Sequence, residues 1–416
     1  MYPWIIADMK YLIILGDGMA DEPICMLGGK TPLQAAVKPE MDWMARYGNN
    51  GLLDTIPEGF SPGSEIANLS ILGYSLPDVF EGRGSLEAAS MGVPIEDGEM
   101  AMRCNLITIE DGIIKNHSAG QISTEEADVL IRYLQDVLGG DGISFFTGVS
   151  YRHLLKFKGG SKHICCTPPH DVVGNPFREH LTRPDGPDGE NTALRLNELI
   201  LKSMEILPQH PVNQARARAG KDIATSIWPW SPGYRPEMQP LSSRYHQIRT
   251  GSVISAVDLI KGIGVYAGLV PVEVEGATGL YDTNYEGKAQ AALDALREQD
   301  FVFLHIEASD EAGHDGDPEL KVRTIEYLND RIVRPVLSAV SLWDEAMSIA
   351  LLPDHPTPCA IRTHTASPVP FTIYRTGGQS ADPVMAFDEF SAREGYYGLM
   401  KASGFMDIFI GTGQNQ

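Results

Sequence analysis

Short, continuous apolar runs that stop abruptly at glycine or at charged residues mark both ends of this chain. Tyr11–Leu15 runs into Gly16-Asp17-Gly18, FVFLHI (301–306) into EASDEAGH, and SIALL (348–352) into PDHPTP. Runs of this length bounded by turn signals predict buried strands. LVPVEV (269–274) reads the same way. Between them, apolar residues recur at helical spacing in AVDLIKGIGVYAG (256–268), in TNYEGKAQAALDALREQ (283–299) and over one long helix at 317–341. Strand and helix in alternation predict an α/β fold with a mainly parallel sheet and helices on both faces.

The alternation covers 9–95 and resumes over 255–411, which predicts one discontinuous core. Residues 96–254 are less regular and predict an inserted α+β cap domain. They hold the strand candidates RCNLITI and SYRHLLKF, a helix opened by the capping box Ser123-Thr-Glu-Glu126, and a second helix at 190–206. SIWPWSPGYRP (226–236) reads as a Pro/Trp-rich loop used for packing or as a domain seam. Residues 1–8, MYPWIIAD, lack the basic start and long apolar core of a signal peptide and are read as an extension without assigned function.

Chemistry gathers where the apolar runs end. Asp310 and His314 are four apart, Asp354 and His355 are adjacent, and His364 follows nine residues later. Carboxylate oxygens and imidazole nitrogens suit zinc or manganese, and in open α/β sheets the carboxyl ends of strands are where ligands bind. Any one pair is more often an ordinary turn or cap. Three together point to a two-metal site. Asp17, flanked by glycines that permit a sharp turn, adds a further carboxylate from the first strand. In SPGSEIANLSILGY a helical pattern starts at Ser64, with Ile66, Leu69 and Leu72 on one face. A serine there is usually a plain cap. Beside a metal, at a helix N-terminus that favours anions, it is a candidate nucleophile for phosphoryl transfer.

GDGMAD, GGKTPLQAA, PGSEIANLSILGY, GRGSLEAASMG, GATGLYDTNYEGK, EASDEAGHDGD, PDHPTP and RTHT stand in this order from about Met9 to near the C-terminus. Together they resemble the archaeal-type cofactor-independent phosphoglycerate mutase family of the alkaline phosphatase superfamily. The resemblance implies an alkaline phosphatase-like core and interconversion of 3-phosphoglycerate and 2-phosphoglycerate through a phosphoserine, without 2,3-bisphosphoglycerate. By position, Asp17, Ser64, Asp354 and His355 would hold one divalent metal and Asp310, His314 and His364 the other. Manganese or zinc would fill them, with magnesium and cobalt as further candidates. Bacterial members of the family include proposed homoserine kinases, so phosphotransfer from a nucleotide to homoserine, in threonine biosynthesis, is the alternative reaction. Lys288 would meet the substrate phosphate. Arg152, His153, His170 and Asp171 are the cap-domain candidates for substrate contact, with Asn284 and Arg103 as weaker ones. An inserted cap would exclude water, which separates a mutase from a phosphatase.

Charge sharpens the picture. With 33 basic and 55 acidic residues, a formal charge of −22 argues against nucleic acid or an anionic membrane as partner. It leaves a small phosphorylated anion as a partner only where metals and local arginines reverse the field. The five cysteines lack C-x-x-C spacing, and the vicinal Cys165-Cys166 pair is poor geometry for a structural bridge, which suits a reducing cytoplasm. No apolar stretch reaches the ~20 residues of a membrane span. The Gly29-Lys30-Thr31 tripeptide imitates a nucleotide-binding loop, but Ile24 stands where that loop needs glycine. Oligomeric state is not legible.

Overall fold

The computed structural model describes residues 9–378 and 380–412. By contact density the described chain divides into two compact units. One holds the residues up to Phe80 and those from Glu237 onward, and the other spans Glu81–Pro236.

The first unit is built on an eight-stranded sheet. Its order is Val270–Pro271, Gly251–Ile254, Phe301–Ile306, Lys10–Gly16, Met347–Leu352, Val369–Arg375, Asn49–Asp54 and Gly398–Lys401. The first five strands run parallel, Val369–Arg375 is antiparallel to both neighbours, and the edge strand Gly398–Lys401 is parallel to Asn49–Asp54. The three central strands are buried along nearly their whole length, as their unbroken apolar sequences require of strands covered on both faces. On one face Leu12, Ile14, Val302, Leu304, Ile349 and Leu351 pack with Tyr285, Ala289 and Leu296 of helix Tyr285–Glu298 and with Ile325 and Leu328 of helix Pro318–Leu328. On the other, Tyr11 meets Phe409 edge to face. Register decides where the loops emerge. Gly16 is level with Ile306, and Leu15 with Leu352, so three parallel strands deliver their succeeding loops to one edge.

The second unit is an antiparallel sheet. Glu99–Glu110 pairs with Arg152–Lys158, with Ile113–Asn116 and with Ser226–Gly233, and Ile143–Val149 pairs with Arg152–Lys158. Its core takes Leu130, Ile131 and Leu134 from helix Thr124–Leu138 and Leu196, Leu199 and Ile200 from helix Glu190–Ile206.

Four expectations are corrected. The seams fall at 80/81 and 236/237 rather than 95/96 and 254/255. Helix Arg83–Ser90 packs on Glu99–Glu110 and Ser226–Gly233, while Gly251–Ile254 joins the eight-stranded sheet. SIWPWSPG is a strand, not a loop. It pairs with Glu99–Glu110 alone, an edge position that tolerates Pro229 and Pro232, and it buries Trp228 and Trp230, two residues apart, on one face. The long helix at 317–341 contains a π turn at Asn329–Val333, where Pro335 removes a backbone donor. LVPVEV forms a strand only over Val270–Pro271, with Val272 N still donating to Val253 O beyond it. Among the described residues no helix is long and apolar enough to cross a membrane.

Candidate metal centre

Past the ends of the three central strands stand three buried carboxylates, Asp17 and Asp354 on loops and Asp310 in the first turn of helix Ala308–Asp315. Gly18 makes the approach possible. It sits at φ +60°, and a Cβ there would lie 2.6 Å from Asp310 Oδ1. Ser64 opens helix Ser64–Ile71 and places its Oγ 3.1 Å from His355 Nε2. Asn68, one turn on, donates to the Ser64 carbonyl at 2.8 Å and to Asp354 Oδ2 at 3.0 Å, which ties that helix to the Asp354 loop. Asp354 Oδ1 accepts from the backbone N–H groups of Gly18 and His355.

Two groups of side chains converge at this edge of the sheet, each with ligand atoms no more than 4.8 Å apart. One is Asp17, Asp354 and His355, and the other Asp310, His314 and His364. In the first, His355 Nε2 lies 3.6 Å from Asp17 Oδ1 and 3.5 Å from Asp354 Oδ2. In the second, His314 Nε2 lies 3.2 Å from Asp310 Oδ2 and 3.0 Å from His364 Nε2. The rings of His355 and His364 are 4.1 Å apart, so the groups adjoin.

Electrostatics make the first group costly without a cation. Burial, and then the charges of Asp354 and Asp310, push the Asp17 carboxyl well above the usual range. Asp17 Oδ1 is buried without a hydrogen-bond partner. Buried, crowded carboxylates with an orphaned oxygen fit a divalent cation, and mixed oxygen and nitrogen donors suit manganese or zinc. At Asp310 burial raises the pKa, but hydrogen bonds from His314 and His364 outweigh it and hold the carboxyl low. The Asp310 bond raises His314 to about 9, and burial lowers His355.

Lys288 is not part of either group. It is fully buried on helix Tyr285–Glu298, its Nζ donates to Thr278 O at 3.2 Å, and burial lowers its pKa to about 8. Asn284 caps that helix by accepting from Gly287 N. Lys30 is exposed, and Thr31 beside it caps a short helix through a capping box with Gln34.

In the second unit the candidates separate. Arg152 is exposed, while His153, its neighbour on the strand, is buried and accepts from Gly148 N through Nδ1. Successive strand residues face opposite sides, and burial takes His153 to about 3, the signature of a neutral core histidine. His170 and Asp171 share the turn Pro169–Val172. The His170 ring packs on Trp230 and His117. Arg103 stacks on Trp230 at 4.4 Å and pairs with Glu87. Burial lowers its pKa against the pull of Glu87, and Arg83 and Arg152 add to the lowering. Arg83, Arg103, Arg152, His117 and His170 thus form a basic cluster without His153.

Four residues escaped the sequence reading. His305, the lone polar side chain in FVFLHI, is buried with Nε2 3.1 Å from Asp17 Oδ2. Asn68 braces Ser64, Thr357 lies between the two groups, and His117 joins the basic cluster. Only His305 carried a signal, a histidine inside an otherwise apolar strand.

A family model described as 2,3-bisphosphoglycerate-independent phosphoglycerate mutase matches residues 45–213. A Methanosarcina barkeri protein of that same description is 51% identical over 403 residues, spanning 97% of this chain and 99% of its own. Among solved structures, a Pyrococcus horikoshii protein superposes with a TM-score of 0.83 at 30% identity, covering 98% of this chain and 99% of that one. A cofactor-independent phosphoglycerate mutase from Thermoplasma acidophilum gives 0.67 at 28% identity, covering 97% and 99%.

Proposed function

This chain belongs to the 2,3-bisphosphoglycerate-independent phosphoglycerate mutase family, and from that premise we propose that it interconverts 3-phosphoglycerate and 2-phosphoglycerate through a phosphoserine at Ser64. The observation that carries the reading is Ser64 Oγ at a helix N-terminus, 3.1 Å from His355 Nε2 and beside two adjoining sets of metal-type donors.

Asp17, Asp354 and His355, with Ser64, would hold one divalent cation, and Asp310, His314 and His364 the other. Bound there, the cations lower the pKa of the serine hydroxyl and offset the charge on phosphoryl oxygens. The chain's own residues do the rest. The free N–H groups at the start of helix Ser64–Ile71 favour the phosphoryl group. As Ser64 Oγ gives up its proton and bonds to phosphorus, the bond to the substrate 3-oxygen breaks and that oxygen takes up a proton. In the second half the 2-hydroxyl oxygen gives up its proton and attacks the phosphoserine, the Ser64 Oγ–phosphorus bond breaks, and Ser64 Oγ is protonated again. Retention of glycerate between the halves is what makes the enzyme a mutase. Lys288 is a candidate contact for the phosphate. Arg152 and His170, with Asp171 adjoining, are candidates for the glycerate end, where arginine suits a carboxylate through paired donors.

Phosphorus NMR on manganese-loaded protein tests the proposal. Incubation with 3-phosphoglycerate should yield 2-phosphoglycerate, and Ser64→Ala should abolish it. Phosphohomoserine from ATP and homoserine, with no isomerisation, would replace this reading with the kinase.

A further inference from the structure

Thr357 lies in PDHPTP but belongs to neither ligand group, and it is fully buried. Its hydroxyl donates to Asp310 Oδ1 at 2.5 Å and lies 3.3 Å from His355 Nδ1. One side chain therefore touches a member of each group. A hydroxyl has one hydrogen. Since that hydrogen goes to Asp310, the oxygen must accept at His355, and His355 Nδ1 carries the proton. His355 Nε2, which faces Ser64, is left with its lone pair, the form in which an imidazole binds a cation. Metal-binding histidines characteristically have the other ring nitrogen committed in this way.

Thr357 is itself clamped. Lys321, fully buried on helix Pro318–Leu328, directs its ammonium at three acceptors: Thr357 O at 2.8 Å, Asp21 Oδ2 at 2.8 Å and Ala20 O at 3.1 Å. Three donors meet three acceptors, which is what a buried ammonium needs. Asp21 Oδ2 also accepts from Cys359 N, and Thr357 N donates to Ala20 O. Lys321 thus fastens the loop after Asp17 to the loop that carries Asp354 and His355. Glycine lines the contact on two sides. A Cβ on Gly18 would come within 2.7 Å of Thr357 Oγ1, and one on Gly313 within 2.3 Å of Thr357 O.

We propose that Thr357 is a positioning residue shared by both cation subsites and that Lys321 holds it in place. The inference rests on the two-cation reading of the proposed function. Its test is calorimetric titration of manganese into chelator-stripped protein, well below the unfolding temperature, for the wild type, Thr357→Val, Thr357→Ser and Lys321→Met. Thr357→Val keeps the shape and removes the hydroxyl, so both affinities should fall about 10- to 100-fold, the range for lost outer-shell partners. Thr357→Ser should restore them, and Lys321→Met should weaken both sites together. A purely structural role would lower the melting temperature of the stripped variants and leave both affinities unchanged, which would overturn the proposal. Weakening confined to one site would overturn the shared role. A wild type that binds fewer than two manganese ions would refute the two-cation reading instead. If Lys321→Met does not fold, the two threonine variants decide the matter.

Discussion

Glu389 offers a prediction with a magnitude attached. Its carboxylate is buried; Oε1 accepts from Asp21 N at 3.0 Å and Oε2 from the Thr31 hydroxyl at 2.7 Å. Burial raises its pKa from 4.5 to about 7, although both hydrogen bonds pull the other way. The folded state therefore holds this proton more tightly than the unfolded chain does. The stabilisation is fully present below pH 4.5 and is lost as pH rises through about 7. A shift from 4.5 to about 7, at 1.36 kcal/mol per unit, makes the loss about 3 kcal/mol. Glu389→Gln keeps the shape and cannot titrate. Urea unfolding of both proteins from pH 5 to pH 8 isolates the contribution, because other titrating groups largely cancel in the difference. Wild type minus variant should drift by about 2–3 kcal/mol against the wild type between pH 5 and pH 8, the part of the loss that falls in this window. A difference that stays flat within about 0.5 kcal/mol would show that Glu389 titrates at its ordinary value and would refute the reasoning. The consequence reaches the site, since the Asp21 held by Glu389 also pairs with Lys321.

Other outcomes rest on the same geometry. Ser64→Ala should lower turnover by more than about a thousandfold and leave no acid-stable phosphoserine in intact-mass spectra. Each cation supplied at about a hundred times its dissociation constant should stabilise the stripped protein by about 2.7 kcal/mol, read as a rise in melting temperature. Arg152→Ala should raise KM with little change in stability. His153→Ala should cost about 1–3 kcal/mol of stability through the acceptor lost to Gly148 N, with KM unchanged. The Asp310 group is the more exposed, with His314 at 35% against 0% for His355. A chelator should accordingly remove manganese in two phases, and Asp310→Asn should eliminate the faster one.

How much the sequence reveals depends on whether a residue's role is local. Asp17, Asp310 and Asp354 could be read because each stands within four residues of the end of an apolar run, and parallel strands in register bring such positions together whatever their distance along the chain. Ser64 could be read from Pro62-Gly63 and the helical spacing after it. Thr357 and Asn68 could not, since their partners lie 47 and 286 residues away and a threonine in a proline-rich turn has an ordinary explanation. His153 misled for the converse reason. Beside Arg152 in a strand it looked like half of a pair, yet strand alternation turns the two side chains apart. The SIWPWSPG strand was hidden by its prolines, which argue against a central strand but not against an edge.

The site combines demands that local stability alone would not favour. Three carboxylates are buried at adjacent strand ends, and Asp17 has an oxygen with no hydrogen-bond partner. Such an arrangement persists only where the surroundings over-determine it. They do so here through contacts that leave little room for relaxation. Gly18 lies so close to Asp310 and Thr357 that no side chain would fit, Lys321 closes two loops with every donor used, and Asn68 locks the Ser64 helix to Asp354. Each of these contacts joins segments from opposite ends of the chain. The geometry of the two candidate ligand groups is therefore a property of the assembled sheet rather than of any one loop, which is why a long insertion between Ser64 and Asp310 can be accommodated without disturbing it.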